Sequence, residues 1–405
     1  MSSPSQNLFS GPKNVRWYPV FMGLSGAFFW LAIFFLYFQS KLSLAEVLRL
    51  EAIYYFSVFL LEVPTGYFSD KFGRVKSLRL SAILFLVSYI TFFFADSFLS
   101  FSFAQVFLAG GIAFQSGTDT AFHYASLQTM DDGDSYADRE SRIGAILNLS
   151  GGLAAFLGGI SAMFMLGSAY ALSALATLFS LFITFFVFKE PSCAASRQSL
   201  AFRPQLYEIK QAFTMPILRF LFLTSLFMTI LVHIPYEYYQ NFIRSFLNTT
   251  SIGKLSYVNP TWVNGLHAAI AMTIAGFFSG FASKINRYLG VKKSVLLAIA
   301  TLVIITFFMS SFLEWWVVIL VLFRSAPYSF LSPILNAEIV PRLESHLQAT
   351  YLSIQSMLGR LGFGIVLLVM SFLEGTYLDY LKYGAGLGLF LFCLTLYFSM
   401  RLKEA

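Results

Sequence analysis

Gly66-Tyr-Phe-Ser-Asp70-Lys71-Phe-Gly73-Arg74-Val-Lys76 sits between two long apolar segments. An imperfect echo begins 214 residues later, as Gly280-Phe-Ala-Ser-Lys284-Ile-Asn-Arg287-Tyr-Leu-Gly290-Val-Lys292-Lys293. In a chain of 405 residues, that offset is what duplication of a membrane unit with small insertions produces. Each copy reads as a short basic loop between two membrane segments.

Composition supports the same reading without any motif. With 57% hydrophobic residues, 12% charged residues and 48 Phe, the chain has too little polar surface to coat a soluble globule, so lipid must solvate it. A bilayer core needs roughly 20 apolar residues per helix. Suitable stretches are predicted at 17–39, 44–69, 76–95, 99–128, 140–164, 167–188, 216–247, 258–284, 291–311, 314–338, 346–372 and 377–400. Their apolarity is continuous rather than alternating, which predicts helices and excludes a barrel. The expected fold class is therefore an all-α integral membrane protein with twelve transmembrane helices.

An even number of spans puts both termini on one side. Lys and Arg in the loops and at the span ends divide 20 against 5 in favour of that side, which predicts that both termini are cytoplasmic. The net charge of +7 is explained by basic residues gathered near anionic lipid and is no argument for nucleic acid. The first span is too long for a signal-peptide core and is followed by Gln39-Ser40-Lys41, so it reads as retained. Cys193 and Cys393 are far apart and predict neither a disulfide framework nor a metal cluster. The longest polar stretch divides the chain into an N-terminal six-helix bundle (1–189), a cytoplasmic linker (190–215) and a C-terminal six-helix bundle (216–405). Within the linker, Gln205 to Phe213 reads as a short amphipathic helix on the inner leaflet.

Twelve spans in a six-plus-six arrangement, with a Gly-x-x-x-Asp-Lys-x-Gly-Arg loop after the second, resemble the major facilitator superfamily over essentially the whole chain. Gly66, Asp70, Lys71, Gly73 and Arg74 fall in that family's spacing. Glu62-Val-Pro64-Thr-Gly66, Ser116-Gly117-Thr-Asp119-Thr-Ala121 and the span-eleven stretch Ala349 to Arg360 look like a bacterial efflux-type subgroup. The resemblance implies two bundles related by a pseudo-twofold axis. It also implies a central cavity lined by spans one, four, seven and ten, and a latch in which Asp70 docks against span eleven when the cavity faces outward. Such a latch has a physical basis. Gly66 permits close helix approach, Asp70 suits a helix N-terminus, and Arg74 can clasp a carboxylate such as Asp131, Asp132 or Asp134. Antiporters of the family often carry a Gly-Pro-x-x-Gly-Gly bend in span five, where this chain has Ala154-Ala155-Phe-Leu-Gly158-Gly159. Gly151, Gly152, Gly158 and Gly159 make a small-residue face suited to packing against the other half.

Charges inside the spans are the guide to chemistry, because each costs at least about 2.5–3.5 kcal/mol to place at the bilayer centre. Gln115, Asp119 and His123 recur at steps of four, which predicts one helical face and a titrating Asp119–His123 pair for proton coupling. Glu62 and Glu237 are further proton-coupling candidates. Glu46, Arg49 and Glu51 read as a solvated outer rim. Arg324 and Arg360 cannot shed their charge, so each needs an acid such as Asp119 or Glu237, or an anionic substrate group. From the family's cavity-lining spans, Arg324 is expected in the cavity, with Tyr328 on its face, and Arg360 between helices. Pro235 frees a backbone carbonyl and predicts a bend suited to an outer gate. Around it, Trp30, Phe34, Tyr37 and Tyr236 form an aromatic set able to stack on a flat or cationic ligand.

Hydrolase, kinase, dinucleotide and metalloprotease motifs are absent from the sequence, and no cofactor or metal is expected. His123, His233, His267 and His346 are dispersed over separate spans. With no nucleotide-binding domain, transport must follow a gradient. The function expected is proton-coupled export of a hydrophobic or amphipathic small molecule by a monomer in a bacterial inner membrane. An organic-anion or metal-chelate carrier using the intramembrane arginines is the alternative, and a receptor without flux is the alternative of another class.

Overall fold

The protein is described here by a computed structural model covering residues 8–130, 136–191, 213–255 and 258–402, and all regular structure among these is helical. The first crossing is broken: α1 (Lys13–Ser25) and α2 (Phe34–Gln39) flank a 3₁₀ turn at Phe29–Ala32. The next two are single rods, α3 (Leu44–Phe72) and α4 (Arg74–Phe94). The fourth is broken again, into α5 (Phe98–Gln115) and α6 (Thr118–Gln128). Then follow α7 (Tyr136–Ser161) and α8 (Ser168–Phe186). The second half comprises α9 (Pro216–Thr249), α10 (Pro260–Ser311), a broken pair α11 (Trp315–Val321) and α12 (Ala326–Ile339), α13 (Ser345–Met370) and α14 (Tyr377–Arg401).

Nine helical stretches among the described residues are long and apolar enough to cross a membrane. At 1.5 Å per residue, the 52 residues of α10 would reach about 78 Å, nearly twice a whole bilayer. Gly290, at φ +71°, divides α10 into two rods. With α3 and the broken α1–α2 crossing added, the arrangement is consistent with twelve passes. Phe94 and Phe164, at 75% and 89% exposure, are among many large apolar side chains on the outside of the bundle, an arrangement that suits a lipid surround.

Within the first half, α4 packs on α5 and α8, α3 on α5, and α1 on α7 and α8. Within the second, α10 packs on α12 and α14, and α9 on α10, α13 and α14. The halves meet along the seams of α7 with α10, α3 with α13, and α2 with α9, and the Phe29–Ala32 turn also packs on α10. The α7 seam follows from its glycines. A Cβ on Gly159 would stand 2.5 Å from the Thr261 carbonyl and 3.1 Å from the Gly265 Cα of α10, and one on Gly158 would overlap the Phe29 carbonyl. One glycine thus seats the facing helix, and its neighbour seats the unwound backbone of the first crossing.

Candidate functional site

Between the halves lies a cavity of about 230 Å³. The first half lines most of it, through Trp30, Phe34, Glu51, Tyr54, Gln105 and Tyr170, while His233, Tyr236 and Arg360 come from the second. Glu51 is 5% exposed and its Oε1 accepts a hydrogen bond of 3.0 Å from Gln105 Nε2. The rim assignment of Glu51 is therefore corrected: hydropathy counts a charge but does not say which way it faces, and Glu51 turns inward. Tyr55, one turn further along α3, donates at 3.3 Å to Oε1 of the fully buried Glu237 on α9. Arg360 of α13 lies 3.5 Å from Glu62 of α3, a charge pair across the second seam. His233 donates its Nδ1 proton to the Thr229 carbonyl at 2.6 Å. The Trp30 and Tyr170 rings are parallel within 2° at 6.3 Å, and Tyr236 stacks on Phe34 at 5.7 Å.

The third seam lies beside this cavity, whose lining includes Phe34 and Phe38 of α2 and Tyr236 of α9. Unwinding the first crossing leaves backbone groups that hydrocarbon cannot satisfy. α9 satisfies them: Gln240 Oε1 accepts from the Phe35 and Leu36 amides at 3.1 and 3.3 Å, and Gln240 Nε2 and the Tyr239 hydroxyl donate to the Leu31 carbonyl at 3.1 and 3.2 Å. Arg244 donates to Gln39 at 3.0 Å in the same joint. α9 runs through Pro235 as one helix.

Several expected site residues fall elsewhere. Arg324 is 3% exposed and lies outside the cavity lining. Its Nη1 donates to His267 Nδ1 at 3.0 Å and to the Val321 carbonyl at 3.2 Å, and its guanidinium covers the Tyr239 ring at 3.9 Å. Because His267 Nε2 faces the Val318 carbonyl at 3.0 Å, it must carry the proton, which leaves Nδ1 free to accept from Arg324. Among the described residues no carboxylate pairs with Arg324, so the expected links to Asp119 or Glu237 are not formed. The two arginines have thus exchanged places relative to expectation, with Arg360 on the cavity and Arg324 between helices. Tyr328 lines a separate pocket of about 180 Å³ with Thr229, Asn336 and Ser356. Tyr37 is buried and donates to the Phe92 carbonyl at 2.7 Å, in packing rather than in the cavity.

Asp119 and His123 stay one turn apart on α6, but Gln115 is set off from them at the end of α5. Gly117, at φ +73°, breaks the crossing between α5 and α6 and resets the helical phase. His123 pairs instead with Glu140 of α7 at 2.5 Å and stacks on Tyr18 at 4.3 Å. The Asp119 carboxylate accepts from the next amide, Thr120, at 2.7 Å. Gln115 borders a small crevice with Phe21, Leu78 and Thr177.

At the Gly66–Lys76 loop, Gly73 has φ +103° and separates α3 from α4, and Gly290 has the same sign of φ in the echo. Glu190, which sequence reading passed over, accepts from the Arg74 and Val75 amides at 2.9 Å each and so caps α4. Arg74 Nη1 donates to the Ala121 carbonyl at 2.8 Å. Asp70 and Lys71 are exposed, with the Lys71 ammonium over the Tyr67 and Phe72 rings. A Cβ on Gly66 would meet nothing within 4 Å, so no close helix approach occurs there in this conformation. Asp131, Asp132, Asp134, Cys193, the stretch from Gln205 to Ala212 and the His346 side chain lie outside what is described.

Two helical halves closing around a cavity with buried charges define a membrane transporter fold. The chain belongs to the Major Facilitator Superfamily, whose profile matches residues 18–367. Solved structures share the fold at low identity. A nucleoside transporter, NupG, has a TM-score of 0.77 at 12% identity, covering 95% of this chain and 98% of its own. A D-xylose-proton symporter has a TM-score of 0.69 at 14% identity, covering 93% and 96%. A POT family transporter in complex with 5-aminolevulinic acid has a TM-score of 0.69 at 13% identity, covering 99% of both chains. No curated protein matches the sequence.

Proposed function

We propose that this transporter is proton-coupled and exports a hydrophobic or amphipathic small molecule, by rocking residues 1–189 against residues 216–405 with 190–215 as the linker. The observation that carries this reading is the shared cavity, with Glu51 on its wall and Glu237 bonded across the halves to Tyr55. A protonated Glu237 is a poorer acceptor for the Tyr55 hydroxyl, so proton occupancy loosens a contact between the halves. Coupling energies of this kind run to a few kcal/mol. Glu237 is accordingly the preferred coupling group. Glu62 follows through Arg360, while Asp119 and His123 belong to the network around Glu140. The export direction rests on the resemblance of the motifs around Glu62 and Asp119 to efflux-type members. A monomer in a bacterial inner membrane, termini in the cytoplasm, completes the reading.

The test begins with thermal-shift screening of a compound panel, since a ligand of the folded form raises apparent stability. Proteoliposomes with an imposed pH gradient are then expected to show proton movement that depends on a compound so found. Glu237→Gln is expected to abolish that movement while binding persists. Proton movement at the wild-type rate in Glu237→Gln would refute the assignment. The organic-anion alternative draws support from Arg360 on the cavity wall, and predicts that Arg360→Ala harms anion carriage far more than carriage of a lipophilic cation.

A further inference from the structure

The cavity wall carries polar groups with nothing to bond. Gln105 Oε1, the Tyr170 hydroxyl and Arg360 Nη1 are each buried without a hydrogen-bond partner. The second oxygen of Glu51 accepts no hydrogen bond among the described residues, and the only group bonded to this carboxylate is a neutral amide. Buried polar groups of this kind are satisfied by something the cavity admits. At the Glu51 side an ammonium is the missing partner: Glu51 supplies the charge and Gln105 Oε1 an acceptor, within a wall of Trp30, Tyr54 and Tyr236 rings. At the other side Arg360 lines the same cavity, with its Nη1 3.5 Å from Glu62 Oε2 in a charge contact that leaves this nitrogen without a hydrogen bond. A planar guanidinium so placed suits a carboxylate.

The two sides are well separated. Glu51 and Glu62 share one face of α3 and lie eleven residues, about 16 Å, apart along its axis. Arg360 is tied to the Glu62 end. A compact α-amino acid, with its two charges on one carbon, does not span such a site.

We propose that the cavity binds an elongated amphipathic zwitterion, with a protonated amine against Glu51 and Gln105, a flat apolar body among the aromatic rings, and a carboxylate toward Arg360. This assignment rests on reading the cavity as the transport site and narrows its substrate class.

The test is equilibrium binding to the purified full chain by calorimetry, with three probes: 4-(2-aminoethyl)benzoate, phenethylamine and benzoate. The zwitterion is expected to bind at least about tenfold more tightly than either half-probe, the difference that one additional charge-assisted hydrogen bond makes. Glu51→Gln is expected to reduce zwitterion affinity to that of benzoate, and Arg360→Gln to that of phenethylamine. The probe comparison on the wild-type protein stands even if a variant fails to fold. Equal affinity of phenethylamine and the zwitterion overturns the proposal in favour of a cation site, equal affinity of benzoate overturns it in favour of an anion site, and no binding of any probe overturns it outright. Binding is read without proton movement, so failure here leaves proton coupling standing, and failure of coupling leaves the binding pattern standing.

Discussion

Gln240 caps a helix to which it does not belong. The Phe35 and Leu36 amides are orphan donors of the first turn of α2, and their acceptor is a side chain of α9 in the other half. Leaving a buried donor without a partner costs about 1–3 kcal/mol. Gln240→Leu is therefore expected to speed amide exchange across Phe34–Gln39 by about tenfold, read by hydrogen–deuterium exchange. Unchanged exchange would show that the cap is dispensable. No sequence signal marks Gln240 as a cap, because the helix it serves lies some 200 residues away and its N-terminus is created by a break that sequence does not announce. The same blindness explains Glu51 and the exchanged arginines. Hydropathy and spacing identify charges in an apolar run, but the rotation of each helix about its own axis is fixed by packing with partners distant in sequence.

At the scale of elements, glycine gives opposite lessons on one helix. Gly159 faces backbone of α10, while Gly144, half a helix away, has nothing within 4 Å of a built Cβ. Gly159→Ala forces backbone apart at the α7–α10 seam, and an overpacked contact costs typically about 1–3 kcal/mol. Gly144→Ala removes only backbone freedom and is expected to gain about 0.5–1 kcal/mol. Thermal melts in detergent are expected to fall by several degrees for the first and to hold or rise for the second. Equal behaviour would contradict the seam geometry. This face was legible in the sequence, since small residues at close spacing in a membrane helix have few uses other than helix packing. The breaks in the first, fourth and tenth crossings were not, because one glycine such as Gly117 reads equally as packing or as a left-handed turn until its φ is known.

At the scale of the molecule, the duplication announced by two basic loops is present as backbone geometry, with Gly73 and Gly290 both at positive φ between consecutive rods. The state of the molecule is written in an asymmetry between its ends. Opposite the basic loops, α2 and α9 are bonded across the halves, whereas beside Gly66 the α3 surface is open, with Tyr67 at 58% exposure and Asp70 exposed. Gly66 has no close neighbour here; on the rocking motion proposed above, α3 and α13 approach at this end when the cavity faces the other way. A bulky residue at Gly66 is then harmless in the present conformation and obstructive in the other. Gly66→Leu is expected to leave the melting temperature within the small range of neutral surface changes, about 0.5 kcal/mol. Because the protein is held with its basic end open, the α2–α9 seam separates less often, and exchange of the Phe34–Gln39 amides is expected to slow by about fivefold. Gln240→Leu and Gly66→Leu, far apart on different helices, thus shift one observable in opposite directions. If Gly66→Leu exchanges at the wild-type rate, closure at the basic end is not coupled to opening of the α2–α9 seam.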